Sequence, residues 1–193
     1  TPENRRKIFT SKIETLAKLH TYDPQAIGLG DFGKPGNYFA RQVDRWTKQY
    51  RASETQHIPE FEKLAECLPK TVPPQARASV VHGDYRLDNM IFHATEPRVQ
   101  AVLDWELSTL GDPMADFTYL LMQWTMPGLA NADLKALNIP SLAEAAQIYC
   151  NVTGSAVPDL NWYFAYNLFR LAGITQGIAG RVRDGTAANA KAL

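Results

Sequence analysis

Phe9, Ile13, Leu16 and His20 recur at intervals of three and four residues, which predicts an amphipathic helix over residues 3–20 closed by Tyr22-Asp23-Pro24. Residues 21–37 are too rich in Gly and Pro for either periodicity and read as loop. The stretches YFARQVDRWTKQY (38–50) and IPEFEKLAECL (58–68) return to helical spacing with one apolar face each, and Pro73-Pro74 breaks the pattern. Three short segments follow, ASVV, MIFH and VQAVLD, each β-branched or aromatic and bounded by turn residues, so three strands are expected. After Pro113 the spacing is helical again to the end. The last long segment, LNWYFAYNLFRLAGITQGIAGRV, is apolar on nearly every face and carries Gly173, Gly177 and Gly180, which predicts a buried helix with close neighbours. The fold class is therefore α+β and mostly helical, with a small β-rich island between two helical stretches.

Composition narrows the partners. At 193 residues the chain has the length of one compact unit or of a lobe of something larger. Its 20 Lys plus Arg balance 20 Asp plus Glu, so no global field recruits nucleic acid or an anionic membrane. Cys67 and Cys150 stand apart without a CxxC pair, which argues against a zinc or redox motif and suits a reducing, cytoplasmic setting. The most apolar run, FTYLLMQWTMPGL, follows Asp116 and is interrupted by Gln123 and Pro127, too short to span a membrane. The opening TPENRRKIF lacks the apolar core of a signal peptide, and no repeat or low-complexity tract is present.

Two literal motif matches fail on context. GLGDFG (28–33) fits GxGxxG, but a phosphate-cradling loop needs a strand before the glycines, and here a helix precedes and KPGN follows. It reads as a surface turn. Asp84 and Asp88 occupy EF-hand positions one and five, yet Arg86 would sit at position three, Asn89 in place of the turn Gly and Thr95 in place of the bidentate Glu, a set no cation favours.

What remains is HGDYRLDNMIF (82–92), four polar side chains directly after the apolar pair Val80 and Val81, followed by VLDWE. An Asp, an Asn five residues later and a second Asp after a short hairpin is the spacing that magnesium chemistry on a nucleotide requires. Asp84 can accept the proton of an attacking hydroxyl, while Asn89 and Asp104, brought together by adjacent strands, hold metal at the phosphates. Oxygen donors without His or Cys suit magnesium. The competing reading is that Asp84 and Asp104 merely cap turns at strand ends, as Asp often does. Three matched residues in order favour catalysis.

The blocks VVHGDYRLDNMIF and AVLDWELSTLGDPMADFTYLL resemble the catalytic and metal-binding segments of the aminoglycoside phosphotransferase and choline kinase-like family, a branch of the protein kinase-like fold. LAKLHTYDP, GNYFARQVDRW and FRLAGITQGIAGR more closely resemble the phosphotransferase-like domains found alone in bacteria or fused to acyl-CoA dehydrogenases in animals, so the likeness covers nearly the whole chain. It implies Asp84 as catalytic base, Asn89 and Asp104 as magnesium ligands at the ATP phosphates, and Arg86 as a contact to the transferred phosphate. It also implies His82 as a packing residue bonded to backbone near the metal Asp. Asp112 is expected to cap the helix that follows, and Asp116 to sit in its first turn where the dipole favours a carboxylate. Tyr38, Arg41 and Arg45 either line an acceptor site or form a solvated helix face, and the solvated face is preferred.

The departure from that family lies at the front. The β-rich lobe with its nucleotide-covering loop, strand Lys and helix Glu has no counterpart here, so residues 1–193 are expected to be the C-terminal lobe alone, partnered by an N-terminal lobe of the same protein and inactive without it. The function implied is an ATP-dependent small-molecule kinase acting on a substrate hydroxyl. Beyond Asn131 the acids Asp133, Glu144, Asp159 and Asp184 are scattered while Arg170, Arg181 and Arg183 gather, which suits a neutral or anionic acceptor such as a hydroxyacyl-CoA or hydroxy acid. The alternatives are an aminoglycoside or amino-sugar kinase, with those arginines only capping helix ends, and a non-catalytic binding module that retained the lobe.

Overall fold

The computed structural model describes residues 1–34, 36–75 and 77–187. The chain divides into two units, Thr1–Gly36 with Gln75–Leu160 and Asn37–Pro74 with Asn161–Leu193, where one had been expected from length. Each has its own apolar interior.

In the first unit, α1 (Pro2–Thr21) starts where the Thr1 hydroxyl accepts the Asn4 N–H and ends as Tyr22 turns extended ahead of Asp23-Pro24. Lys12, Ile13, Leu16, Ala17 and His20 are its buried face. It packs on α6 (Leu142–Thr153), whose start is a reciprocal capping box between Ser141 and Glu144. Among the described residues four strands replace the three expected. β1 (Ser79–Val81) pairs antiparallel with β4 (Thr109–Gly111), Val80 opposite Leu110, and β2 (Met90–Phe92) forms a hairpin with β3 (Val99–Val102), Met90 opposite Val102. TLG is too short and too Gly-terminated to read as a strand by itself; its partner lies some 30 residues earlier. α4 (Pro113–Leu121) follows, capped by Asp112, whose carboxylate accepts the Met114 N–H at 2.9 Å. Burial pushes the Asp112 carboxyl up to about 6 against that bond. The single-turn α5 (Leu134–Leu137) completes the unit. Residues 28–33 form turns, as expected of GLGDFG out of context.

In the second unit, α2 (Tyr38–Ala52) buries Phe39, Val43, Trp46 and Tyr50, a 4-3-4 spacing. Tyr38 is buried as well, edge-on to Phe39 at 5.4 Å, so it does not belong to a solvated face; Arg45 does. α3 (Pro59–Cys67) adds Phe61, stacked between Tyr50 at 3.8 Å and Phe169 at 4.3 Å. Phe169 lies on α7 (Asn161–Arg183), the long final helix. That helix is not buried all round: Leu168 is 50% exposed, while Tyr163, Tyr166, Phe169, Gly173, Gly177 and Gly180 follow one stripe. The glycines let backbone approach backbone. A Cβ on Gly180 would lie 3.0 Å from Ser53 O, at the end of α2. Among the described residues no helix is long and apolar enough to cross a membrane.

Candidate active site

The loop between β1 and β2 is held by backbone rather than by bulk. Gly83 has φ +86, and a Cβ there would meet the Leu107 carbonyl oxygen at 2.6 Å, so any larger residue is excluded on both counts. The N–H groups of His82 and Gly83 both donate to the carboxylate of Asp116, the Gly83 bond at 2.9 Å. Asp116 is 1% exposed. Burial pushes its carboxyl up, but His20 and the two N–H groups outweigh this and hold it below the usual range. His20 Nε2 lies 3.6 Å from Asp116 Oδ2, ion-pair rather than hydrogen-bond range, and its Nδ1 meets the Tyr149 hydroxyl at 2.7 Å. Asp116 thus does more than answer the helix dipole: it fixes the path of the loop.

His82 joins this loop to the Asp104 segment. The Asp84 N–H donates to His82 Nδ1 at 3.2 Å, which leaves Nε2 to donate to the Leu103 carbonyl at 2.8 Å. Both ring nitrogens are satisfied in the neutral ring, and the ring packs on Trp105 at 4.8 Å.

Asp84 is half-buried, and its carboxylate has a donor on each oxygen. Asn89 Nδ2 donates to Oδ2 at 3.0 Å and to the Asp84 carbonyl oxygen at 2.9 Å, while the Tyr119 hydroxyl donates to Oδ1 at 3.0 Å. With its amide nitrogen so used, Asn89 has its Oδ1 left for another partner. Hairpin pairing brings the backbone before Asp104 beside Asn89: Met90 faces Val102, and one step on the Leu103 N–H donates to the Asn89 carbonyl oxygen at 2.9 Å. Asp104 itself is exposed and left-handed, φ 64, a conformation that costs a non-glycine residue about 1 kcal/mol or more and persists where surrounding structure imposes it. Arg86 is exposed and paired with Asp88, two residues on.

A divalent ion fits this donor set in one way. Among the described residues no three His, Cys, Asp or Glu side chains converge, so a protein-only cage is absent. An amide oxygen and one exposed carboxylate are few ligands for calcium. They suit magnesium, which is held by one or two carboxylates with water and substrate phosphates completing the shell.

Tyr119, Asp116 and His20 are the parts that sequence reasoning missed or underused. The available signal was that Asp116 and Tyr119, three apart in one helix, share a face.

Helices around this loop and hairpin define a phosphotransferase-type fold. Residues 1–146 match the phosphotransferase enzyme family, and the chain belongs to it. Mouse acyl-CoA dehydrogenase family member 10 is 44% identical over 199 residues, a match covering 99% of this chain and 19% of the mouse protein. The chain spans about a fifth to a quarter of the length of such curated relatives. A Ralstonia eutropha JMP134 structure, provisionally described as an aminoglycoside phosphotransferase, superposes with a TM-score of 0.95 at 52% identity, covering 100% of this chain and 61% of that one. Aminoglycoside-3'-phosphotransferase of type VIII shares the fold at a TM-score of 0.64 and 18% identity, covering 88% of this chain and 62% of its own.

Proposed function

We propose that the chain is the C-terminal, catalytic lobe of an ATP-dependent small-molecule kinase whose nucleotide-covering lobe lies elsewhere in the same polypeptide. The observation that carries this is the half-buried Asp84 carboxylate, oriented from both oxygens beside a hairpin that delivers Asp104. Asp84 accepts the proton of the acceptor hydroxyl as the new oxygen–phosphorus bond forms and the bond from the γ-phosphorus to the bridging oxygen breaks, releasing ADP. Asn89 and Asp104 would hold magnesium, which would supply neutralisation of the phosphate charge. Arg86, once released from Asp88, would add a cation at the transferred phosphate.

For the acceptor we favour a hydroxyacyl-CoA or hydroxy acid. The support is the kinship with proteins named as acyl-CoA dehydrogenase family members, together with the scarcity of acidic side chains beyond Asn131. The arginine part of that argument is weaker than the sequence suggested, because Arg183 is engaged by Asp184 and the Glu54 carbonyl and Arg170 is buried. An aminoglycoside acceptor is the second reading, favoured by the description of the Ralstonia relative.

Transfer of labelled γ-phosphate by the whole polypeptide should be measured against hydroxyacyl-CoA thioesters, free hydroxy acids and aminoglycosides. Asp84→Asn should lower transfer roughly 10²–10⁴-fold with MgATP affinity little changed, whereas Asp104→Ala should weaken MgATP binding itself. Wild-type transfer in the Asp84 variant would refute the mechanism and leave a binding module as the better account. Turnover with an aminoglycoside and none with any hydroxyacyl compound would refute the acceptor.

A further inference from the structure

Asp116 and Tyr119 grip the same loop at successive points from one face of α4. Asp116 takes the backbone of residues 82 and 83, which sets where the loop runs; Tyr119 takes the side chain of the next residue, with its O–H donating to Asp84 Oδ1 at 3.0 Å. From the other side Asn89 Nδ2 occupies Oδ2 at 3.0 Å. One donor on each oxygen removes rotation of the carboxylate about its Cβ–Cγ bond, because turning the plane stretches both bonds together. Each oxygen keeps a second lone pair for another donor. Around these two residues the helix buries Phe117, Leu120 and Leu121, and Thr118 with its hydroxyl donating to the Met114 carbonyl. Phenylalanine would supply the ring of Tyr119 equally well. The residue is half-buried, and its hydroxyl, aimed at Asp84 Oδ1, is the feature that packing does not explain.

We propose that Tyr119 is a positioning residue for phosphoryl transfer, its hydroxyl fixing the plane of the Asp84 carboxylate so that the remaining lone pair faces the acceptor hydroxyl. This rests on Asp84 being the base. The Tyr119 proton stays on Tyr119 throughout; the acceptor's proton goes to Asp84. Because the bond is made to the base, its loss acts on the chemical step and not on nucleotide capture.

The test compares wild type, Tyr119→Phe, Asp84→Asn and the double variant of the whole polypeptide, with MgATP and with water alone, 3-hydroxybutyryl-CoA or kanamycin as acceptor. Tyr119→Phe should lower kcat roughly tenfold or more, as expected for a hydrogen bond to a charged group, with KM for MgATP within about twofold of wild type and the thermal midpoint unchanged. In the Asp84→Asn background the same change should have no further effect, since the bond's acceptor has lost its role. Wild-type kcat in Tyr119→Phe, an equal loss in both backgrounds, or a parallel rise in KM for MgATP would each overturn the inference while Asp84→Asn remained impaired. Asp84→Asn turning over at the wild-type rate would instead overturn the reading of the base. Absence of wild-type turnover with all three acceptors would overturn both.

Discussion

Replacing Lys12 by methionine should flatten the pH dependence of folding stability between neutrality and about pH 9.5. Lys12 is 2% exposed, with its ammonium 2.6 Å from Gln123 Oε1 and over the rings of Phe9 at 4.3 Å and Trp124 at 5.5 Å. Among the described residues no carboxylate lies within ion-pairing distance of it, so no opposite charge offsets its burial, which pushes the amine down to about 7 from its ordinary 10.5. The folded state then binds fewer protons than the unfolded state between those values. Its contribution to stability is complete above the unfolded value, declines as pH falls through that window, and is gone below about 7. A difference of 3.5 pH units corresponds to a ceiling of about 5 kcal/mol, of which about 3 kcal/mol falls between pH 7 and 9.5. The neutral amine can still donate to Gln123, so the hydrogen bond does not cancel the effect. Methionine keeps the length and the aromatic contacts, removes the titration, and leaves Gln123 Oε1 without its donor at a pH-independent cost of about 1–3 kcal/mol. Urea unfolding of both proteins at half-unit steps over that range isolates the term, because every other titrating group is common to both. Wild type should gain on the variant by up to about 3 kcal/mol as pH rises. Parallel curves would mean that Lys12 is hydrated or paired in solution, and the burial argument would fail.

Asp116→Asn places an amide where two backbone N–H groups and His20 expect an anion; it should lower stability by about 2–4 kcal/mol in urea and suppress phosphate transfer together, whereas a silent substitution would show that the loop holds its own path. The glycines of α7 should separate by their surroundings. Gly173→Ala meets only ordinary contacts at 3.5–3.7 Å around Trp46 and should raise stability by up to about 1 kcal/mol through helix propensity, while Gly180→Val, 3.0 Å from Ser53 backbone, should lower it by about 1–3 kcal/mol; thermal unfolding of the pair checks both, and equal effects would refute the close approach.

Local pattern was enough for the helices. Ile13, Leu16 and His20 in α1, and Phe39, Val43, Trp46 and Tyr50 in α2, repeat at a period that the backbone hydrogen-bond ladder imposes within a few residues, and Asp112 and Pro113 mark the start of α4 by side-chain chemistry that acts over one turn. That Asn89 and the Asp104 segment meet across adjacent strands was legible from the order of short strands, but the register was not, because a bulge between Ile91 and Phe92 shifts it by one residue before Met90 comes opposite Val102. β4 was not, because TLG becomes a strand only against β1, and α7 was judged more buried than it is, because an apolar composition does not say which stripe finds a neighbour. At the site the sequence by itself supplied the proposed base, Asp84, and the oxygen donors Asn89 and Asp104. Only the tertiary structure decided how Asp84 is aimed: Tyr119 lies 35 residues from it, and the two meet because α4 is laid against the loop by buried contacts from His20, Asp116 and Tyr149. Lys12 and Gln123, 111 residues apart, are the same case. Chain-local forces choose periodicity and caps. Partners at such separations are chosen by the packing of whole elements, in which each residue's vote is a small part of a sum over the core.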